Sequence, residues 1–141
     1  MRWFFTALLL STQLFAAEAV VTLDDGQIRL PMPGRSVSAG YFTLSNSSAQ
    51  QMELTAVSSD AFKRIELHQH SHVDGMMRME QIDSIIIQAG KSVELAPGGL
   101  HLMLFEPVAD LQAGQQVNLT LHFADGQQLS TSLPVVAMPK R

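Results

Sequence analysis

The sequence has 141 residues, 46% of them hydrophobic, and a formal net charge of -4 from 9 Lys and Arg against 13 Asp and Glu. This length and composition fit one globular domain, and the charge lacks the basic excess that neutralises nucleic-acid phosphates. Because cysteine is absent, disulfides, thiolate metal sites, covalent haem and a cysteine nucleophile are excluded. Any bound metal ion must therefore be held by His, Met or carboxylate side chains.

The first 19 residues have the layout of a secretory signal peptide. Arg2 precedes the apolar stretch 3–10, and the small residues Ala17 and Ala19 form a cleavage signal. The apolar stretch is too short for a transmembrane helix. We therefore expect export, cleavage after Ala19, no membrane insertion and one domain over 20–141. Since no cysteine follows the cleavage position, we expect no lipid anchor there.

Beyond residue 19, hydrophobic residues alternate with polar ones, and turn residues recur about every eight to twelve positions. This pattern predicts roughly eight to ten short strands and no long amphipathic helix, as in an all-β antiparallel sandwich. A hairpin is predicted where Asp24, Asp25 and Gly26 separate segments 20–23 and 27–30. The other predicted strands are 41–44, 52–57, 64–70, 76–80, 82–87, 92–95, 100–105, 117–123 and 127–135.

Histidine and methionine are concentrated in one part of the chain. The residues concerned are His68, His70, His72, Met76, Met77, Met79, His101 and Met103. Thioether and imidazole ligands together suit Cu(I), whereas zinc prefers His, Cys and carboxylates, and Mg or Ca prefers oxygen. The combination therefore favours monovalent copper.

The spacing of these residues predicts which of them share a face. His101 and Met103 are two apart on a predicted strand, so both project away from the apolar side that contains Leu102. His68 likewise lies opposite the apolar face of its strand, on which Leu67 lies. His101 and Met103 can therefore meet one ion, and His68 fits poorly as a core histidine.

Other interpretations remain open for single residues. Met79 alone could fill a gap in the core, as methionines often do. His68, His70 and His72 with Asp74 or Glu66 could in principle form a hydrolytic zinc site, although their spacing does not favour it. His122, on a polar face without a nearby methionine, is predicted to face solvent.

The order of these residues resembles the H-x10-M-x21-H-x-M signature of the periplasmic CuA chaperone family, PCuAC. The four signature positions correspond to His68, Met79, His101 and Met103. Segments 74–79 and 97–104 are also similar to that family, and the likeness runs from about residue 27 to residue 136. The resemblance implies a cupredoxin-like, Greek-key β-sandwich that binds Cu(I) through these four side chains in an exposed site. It further implies a monomeric periplasmic carrier that is not an enzyme.

By the same resemblance, the partner is a copper-accepting oxidase subunit, most often subunit II with its CuA centre, or a thiol-bearing Sco-type protein. The chain departs from the family at Gln27, where many members have Trp, and in lacking a His- and Met-rich tail that some members use for Cu(II). His70 and His72 are the candidate ligands of a secondary Cu(II) site in its place.

Three rival functions are weighed against delivery. A copper-storage or detoxification protein would use the same ligands without a dedicated recipient. Electron transfer in a cupredoxin-like fold usually requires a cysteine ligand, which this chain lacks. An adhesion or interaction sandwich with incidental His and Met is disfavoured by the full spacing match.

Overall fold

A computed structural model describes residues 20–139. The predicted signal peptide, residues 1–19, lies outside this range. All regular structure in the described residues is β-strand, and among them no helical segment has the length and hydrophobicity to span a bilayer. The strands are β1 (Val21–Arg29), β2 (Ser38–Asn46), β3 (Met52–Ser58), β4 (Phe62–Val73), β5 (Met76–Gln81), β6 (Ile85–Ile87), β7 (Ser92–Leu95), β8 (Leu100–Pro107), β9 (Gln116–Phe123) and β10 (Gln128–Val136).

The strands form two halves joined by one short pairing. The first half has the order β5-β4-β8-β2-β1, with β7 also paired to β2, and the second has the order β10-β9-β3-β6. A parallel pairing of β1 with β10, at Ile28 opposite Val135, connects them, whereas the other pairings of the described strands are antiparallel. The all-β, mainly antiparallel architecture predicted from the alternation is thereby confirmed.

One hydrophobic core receives side chains from both halves. Phe42 and Leu102 from the first half are buried together with Leu54 and Leu121 from the second. Successive side chains of a strand point to opposite faces, so the neighbours of each core residue project outward. In β4 and β8 this places every second residue on an outer face, which is where the candidate site lies.

The hairpin predicted around residues 24–26 is wrong. Both flanking segments belong to β1 and pair with β2, and the register shifts between Asp24 and Gln27. Asp25 takes a left-handed conformation, with φ of 55°, as expected at a bulge in a continuous strand. Gly26 is needed there because a Cβ atom would overlap the Leu133 side chain.

A true two-residue turn joins β4 to β5. Val73 pairs with Met76, and Asp74 and Gly75 between them have φ of 53° and 74°. Positive φ at both central residues is the type I′ geometry that Asp-Gly favours, and its twist matches that of the strands. The turn therefore sets the register of β5 against β4.

Candidate metal centre

The candidate centre lies on the outer face of three adjacent strands, β5, β4 and β8. His68 on β4 is directly opposite His101 on β8, and His70 on β4 is directly opposite Met79 on β5. Met103, two residues beyond His101, therefore shares this face as well. Directly opposite residues of antiparallel strands project to the same side with Cβ atoms about 4.5–5.5 Å apart. The register thus brings all four predicted ligands to one face.

Three imidazole rings are close neighbours at the centre of this face. The ring centroids of His68 and His101 are 5.8 Å apart, and those of His70 and His101 are 4.9 Å apart in a stacked arrangement. His70, considered from the sequence as a secondary ligand, therefore touches the primary cluster.

One ring nitrogen of His68 is held by a carboxylate and the other is free. His68 Nε2 lies 2.8 Å from Glu66 Oε2. Because a carboxylate only accepts hydrogen bonds, Nε2 is the donor, and in the neutral ring Nδ1 keeps its lone pair. His68 Nδ1 is buried and has no hydrogen-bond partner. Metal-binding histidines are usually oriented in this way, by donating the other N–H to a carboxylate or carbonyl.

His101 has the same arrangement with its ring nitrogens exchanged. Its Nδ1 donates to the Gly99 carbonyl oxygen at 3.0 Å, so the lone pair is on Nε2, which is buried and unpartnered. Burial lowers the pKa of His101, opposed by the Gly99 hydrogen bond and reinforced by the nearby His70 and His68. Burial therefore favours the neutral ring, the form that can bind a metal ion.

The carboxylate that orients His68 is itself oriented. Arg64 Nε lies 3.2 Å from Glu66 Oε1, and the Arg64 guanidinium sits 4.2 Å from the ring centroid of Phe105. These side chains share the outer face because Arg64 is opposite Phe105 in the β4–β8 register. Sequence reasoning missed this role of Glu66, although a carboxylate two residues before His68 on the same face was the available signal.

The two methionines differ in exposure. Met79 is 49% exposed, on a strand whose six residues are all exposed. The core-filling interpretation of Met79 is therefore wrong. Met103 is half-buried and lines a cleft of about 270 Å³ together with residues that include Arg29 and Tyr41.

The expectation of an exposed site holds for only part of the centre. His101 is 3% exposed, and the stacked ring of His70 lies against it. Within residues 20–139, no group of three or more His, Asp or Glu side chains is placed to hold a metal ion. That is the arrangement the zinc alternative would need.

The other two histidines lie away from the cluster of three imidazole rings. His72 is opposite Met77, next to the β4–β5 turn. His122 is on the outer face of β9 and partly exposed, as its polar-face position predicted, with its Nε2 2.7 Å from Ser58 Oγ. Of the five histidines, the structure therefore gathers His68, His70 and His101.

Comparison with known proteins places the chain in a family. The family model described as putative lipoprotein LpqE-like matches residues 21–135. The chain belongs to the LpqE-like family. It is 34% identical over 129 residues to "Uncharacterized protein RP573" of Rickettsia prowazekii strain Madrid E. The matched region covers 89% of this chain and 71% of that protein.

Solved structures share the fold of this LpqE-like chain. The copper-bound PCuAC domain from PmoF2 is 22% identical, with a TM-score of 0.70, over 87% of this chain and 97% of that domain. The solution structure of CuI-DR1885 from Deinococcus radiodurans is 27% identical, with a TM-score of 0.69, over 83% of this chain and 78% of that protein. These similarities confirm the predicted resemblance to PCuAC domains and the cupredoxin-like β fold.

Without the Glu66 carboxylate, the His68 ring should lose its preference for the tautomer protonated at Nε2. In the wild-type apoprotein we expect His68 to be protonated at Nε2 and His101 at Nδ1, as their acceptors require. In Glu66→Ala the His68 ring should lose this preference while His101 keeps its own. Two-dimensional ¹⁵N NMR of the imidazoles distinguishes the tautomers. An unchanged His68 pattern in Glu66→Ala would show that the carboxylate does not orient the ring.

The stability of the apoprotein should fall in mildly acidic solution partly because of His101. Its pKa is lower in the folded chain than the unfolded value of about 6.5. The unfolded state therefore binds more protons once the pH drops below that value, and stability is lost until the folded pKa is reached. In urea unfolding between pH 7.5 and 5, the free energy of unfolding should fall less steeply with decreasing pH for His101→Gln than for wild type. Equal slopes would contradict the buried, neutral imidazole.

Proposed function

We propose that this protein is a periplasmic Cu(I) chaperone that delivers copper for assembly of a respiratory cytochrome oxidase copper centre. Its ligands are His68, Met79, His101 and Met103. The observation that carries the proposal is the pair of buried, unpartnered lone pairs on His68 Nδ1 and His101 Nε2, on the same face as two thioethers. Similarity to the Cu(I) form of DR1885 supports the identity of the metal and its oxidation state.

The ligand types suit transfer rather than permanent retention. Imidazole and thioether are neutral, so the positive charge of Cu(I) is left uncompensated, unlike in a thiolate site. A thiolate acceptor on an oxidase subunit or a Sco-type protein then binds the ion more strongly, and transfer runs downhill. Thioethers also avoid the disulfide formation that threatens thiols in an oxidising compartment.

The ligands are positioned without the metal, which a carrier requires. The groups that hold the two imidazoles belong to the protein itself, namely the Glu66 carboxylate and the Gly99 backbone carbonyl. The hydrophobic core lies on the other face of the strands and uses no ligand residue. The domain therefore folds before copper arrives, unlike small proteins whose folding depends on a metal.

The protein is also proposed to be exported and to bind Cu(II) at a secondary site. The predicted signal peptide, together with the lipoprotein description of the family, supports export. His70 and His72 are proposed as secondary ligands for Cu(II), since they share the outer face and His70 Nδ1 is buried without a partner.

Substitution of Met79 should weaken Cu(I) binding without affecting the fold. Because this side chain is half-exposed on an edge strand, Met79→Leu should leave the apoprotein melting curve unchanged and lower Cu(I) affinity at least several-fold. Competition against a Cu(I) chelator measures the affinity. Met76→Leu is the matched control, since Met76 is an exposed methionine on the opposite face of the same strand. Equal copper retention in both variants would remove Met79 from the ligand set.

A deletion strain separates delivery from storage. If the protein delivers copper, its loss should reduce cytochrome oxidase activity under copper limitation, and added copper should restore it. If it stores or detoxifies copper, the strain should instead be copper-sensitive with normal oxidase activity. Complementation with wild type and with Met79→Leu links either phenotype to the centre.

A further inference from the structure

The β4–β5 hairpin places a second imidazole and thioether pair beyond the proposed centre. His72 is directly opposite Met77, two residues farther toward the turn than the His70 and Met79 pair. Both pairs lie on the outer face, because residues two apart on a strand project to the same side. Neither His72 nor Met77 is a ligand of the proposed Cu(I) centre. His72 has two neighbours on this face: His70, with which it is proposed to hold Cu(II), and Met77, whose thioether suits Cu(I).

Packing does not explain Met77. The side chain is 59% exposed, and His72 opposite it is also exposed. Among the strands of residues 20–139, β5 lies at the edge of the sheet next to β4, and all six of its residues are exposed. A methionine in such a position fills no gap in the core. Unlike the equally exposed Met76, which is opposite Val73, Met77 has an imidazole directly opposite, so a role as a soft ligand accounts for it better than a structural role.

The hairpin holds the two side chains in fixed register. Directly opposite Cβ atoms on antiparallel strands are about 4.5–5.5 Å apart, which is within reach of an imidazole and a thioether that share one ion. The two-residue turn at Asp74 and Gly75 lies one pair beyond them and prevents slippage of the strands. The pair is therefore preorganised as well as accessible.

We propose that His72 and Met77 form a second, outer site for a soft monovalent cation, Cu(I) in the cell and Ag(I) as its redox-stable substitute. The inference rests on the proposed function for the identity of the cargo. With two exposed ligands instead of four, the outer site binds more weakly than the inner centre. His70 lies between the outer pair and the His68–His101 pair, opposite the inner ligand Met79, so an ion received at the hairpin passes inward along one face of the sheet.

The test is a titration of the mature full-length chain with Ag(I), followed by NMR of the methionine methyl groups. We expect two equivalents in wild type: the first shifts the Met79 and Met103 methyls, and the second shifts Met77. The double variant His72→Ala with Met77→Leu should bind only the first equivalent. Met76→Leu, altered at the neighbouring exposed methionine on the opposite face, should keep both.

The possible outcomes separate this inference from the proposed function. Retention of two equivalents by the double variant, or a single equivalent in wild type without any shift of Met77, overturns the outer site. Loss of the Met79 and Met103 shifts with a persistent Met77 shift overturns the inner centre instead and leaves the outer site standing. Unchanged apoprotein spectra outside the hairpin confirm that the variants are folded.

Discussion

The pairing register of β4 with β8 and β5 is the constraint on which the candidate centre depends. Side chains alternate between faces along a strand, so a slip of one residue would turn His68 into the core and Leu67 out to solvent. Two features oppose such a slip: the buried pair Leu67 and Leu102 beneath the imidazoles, and the type I′ turn at Asp74 and Gly75. The hydrophobic core thus positions ligands that it does not contain.

Hydrogen bonds on the outer face then select which nitrogen of each ring is free. Glu66 holds one ring of the pair through Nε2, and the Gly99 carbonyl holds the other through Nδ1. Each remaining nitrogen is buried without a partner, which costs about 1–3 kcal/mol per group when a hydrogen bond is left unmade. An ion bound at either nitrogen would remove this cost, so the atoms that destabilise the apoprotein would favour metal binding.

The features of this structure that follow from the alternation of apolar and polar residues along a strand could be predicted from the sequence. Segments 64–70 and 100–105 show on which face His68, His101 and Met103 lie, and the structure confirms these faces. The hairpin at residues 24–26 was predicted wrongly because an Asp-Gly pair serves a bulge, here with positive φ at Asp25, as well as a turn. The deciding factor was β2, a strand distant in sequence that pairs with both segments.

Contacts between strands account for the other differences. The burial of His101 depends on the stacked ring of His70, and the orientation of His68 depends on Glu66, neither of which spacing alone reveals. The exposure of Met79 follows from the position of β5 at the edge of the sheet, which only the strand order determines. Sequence therefore predicted the candidate ligands and identified their faces, whereas the tautomers and the accessibility of the site required the three-dimensional arrangement.

The central claim is that imidazole nitrogens and thioether sulfurs from three strands meet at one cuprous ion. X-ray absorption at the copper edge, on the mature protein loaded with one equivalent of Cu(I), measures the ligand shell directly. The account predicts a single copper environment with both nitrogen and sulfur neighbours. A shell of nitrogen or oxygen alone, or of sulfur alone, would contradict it.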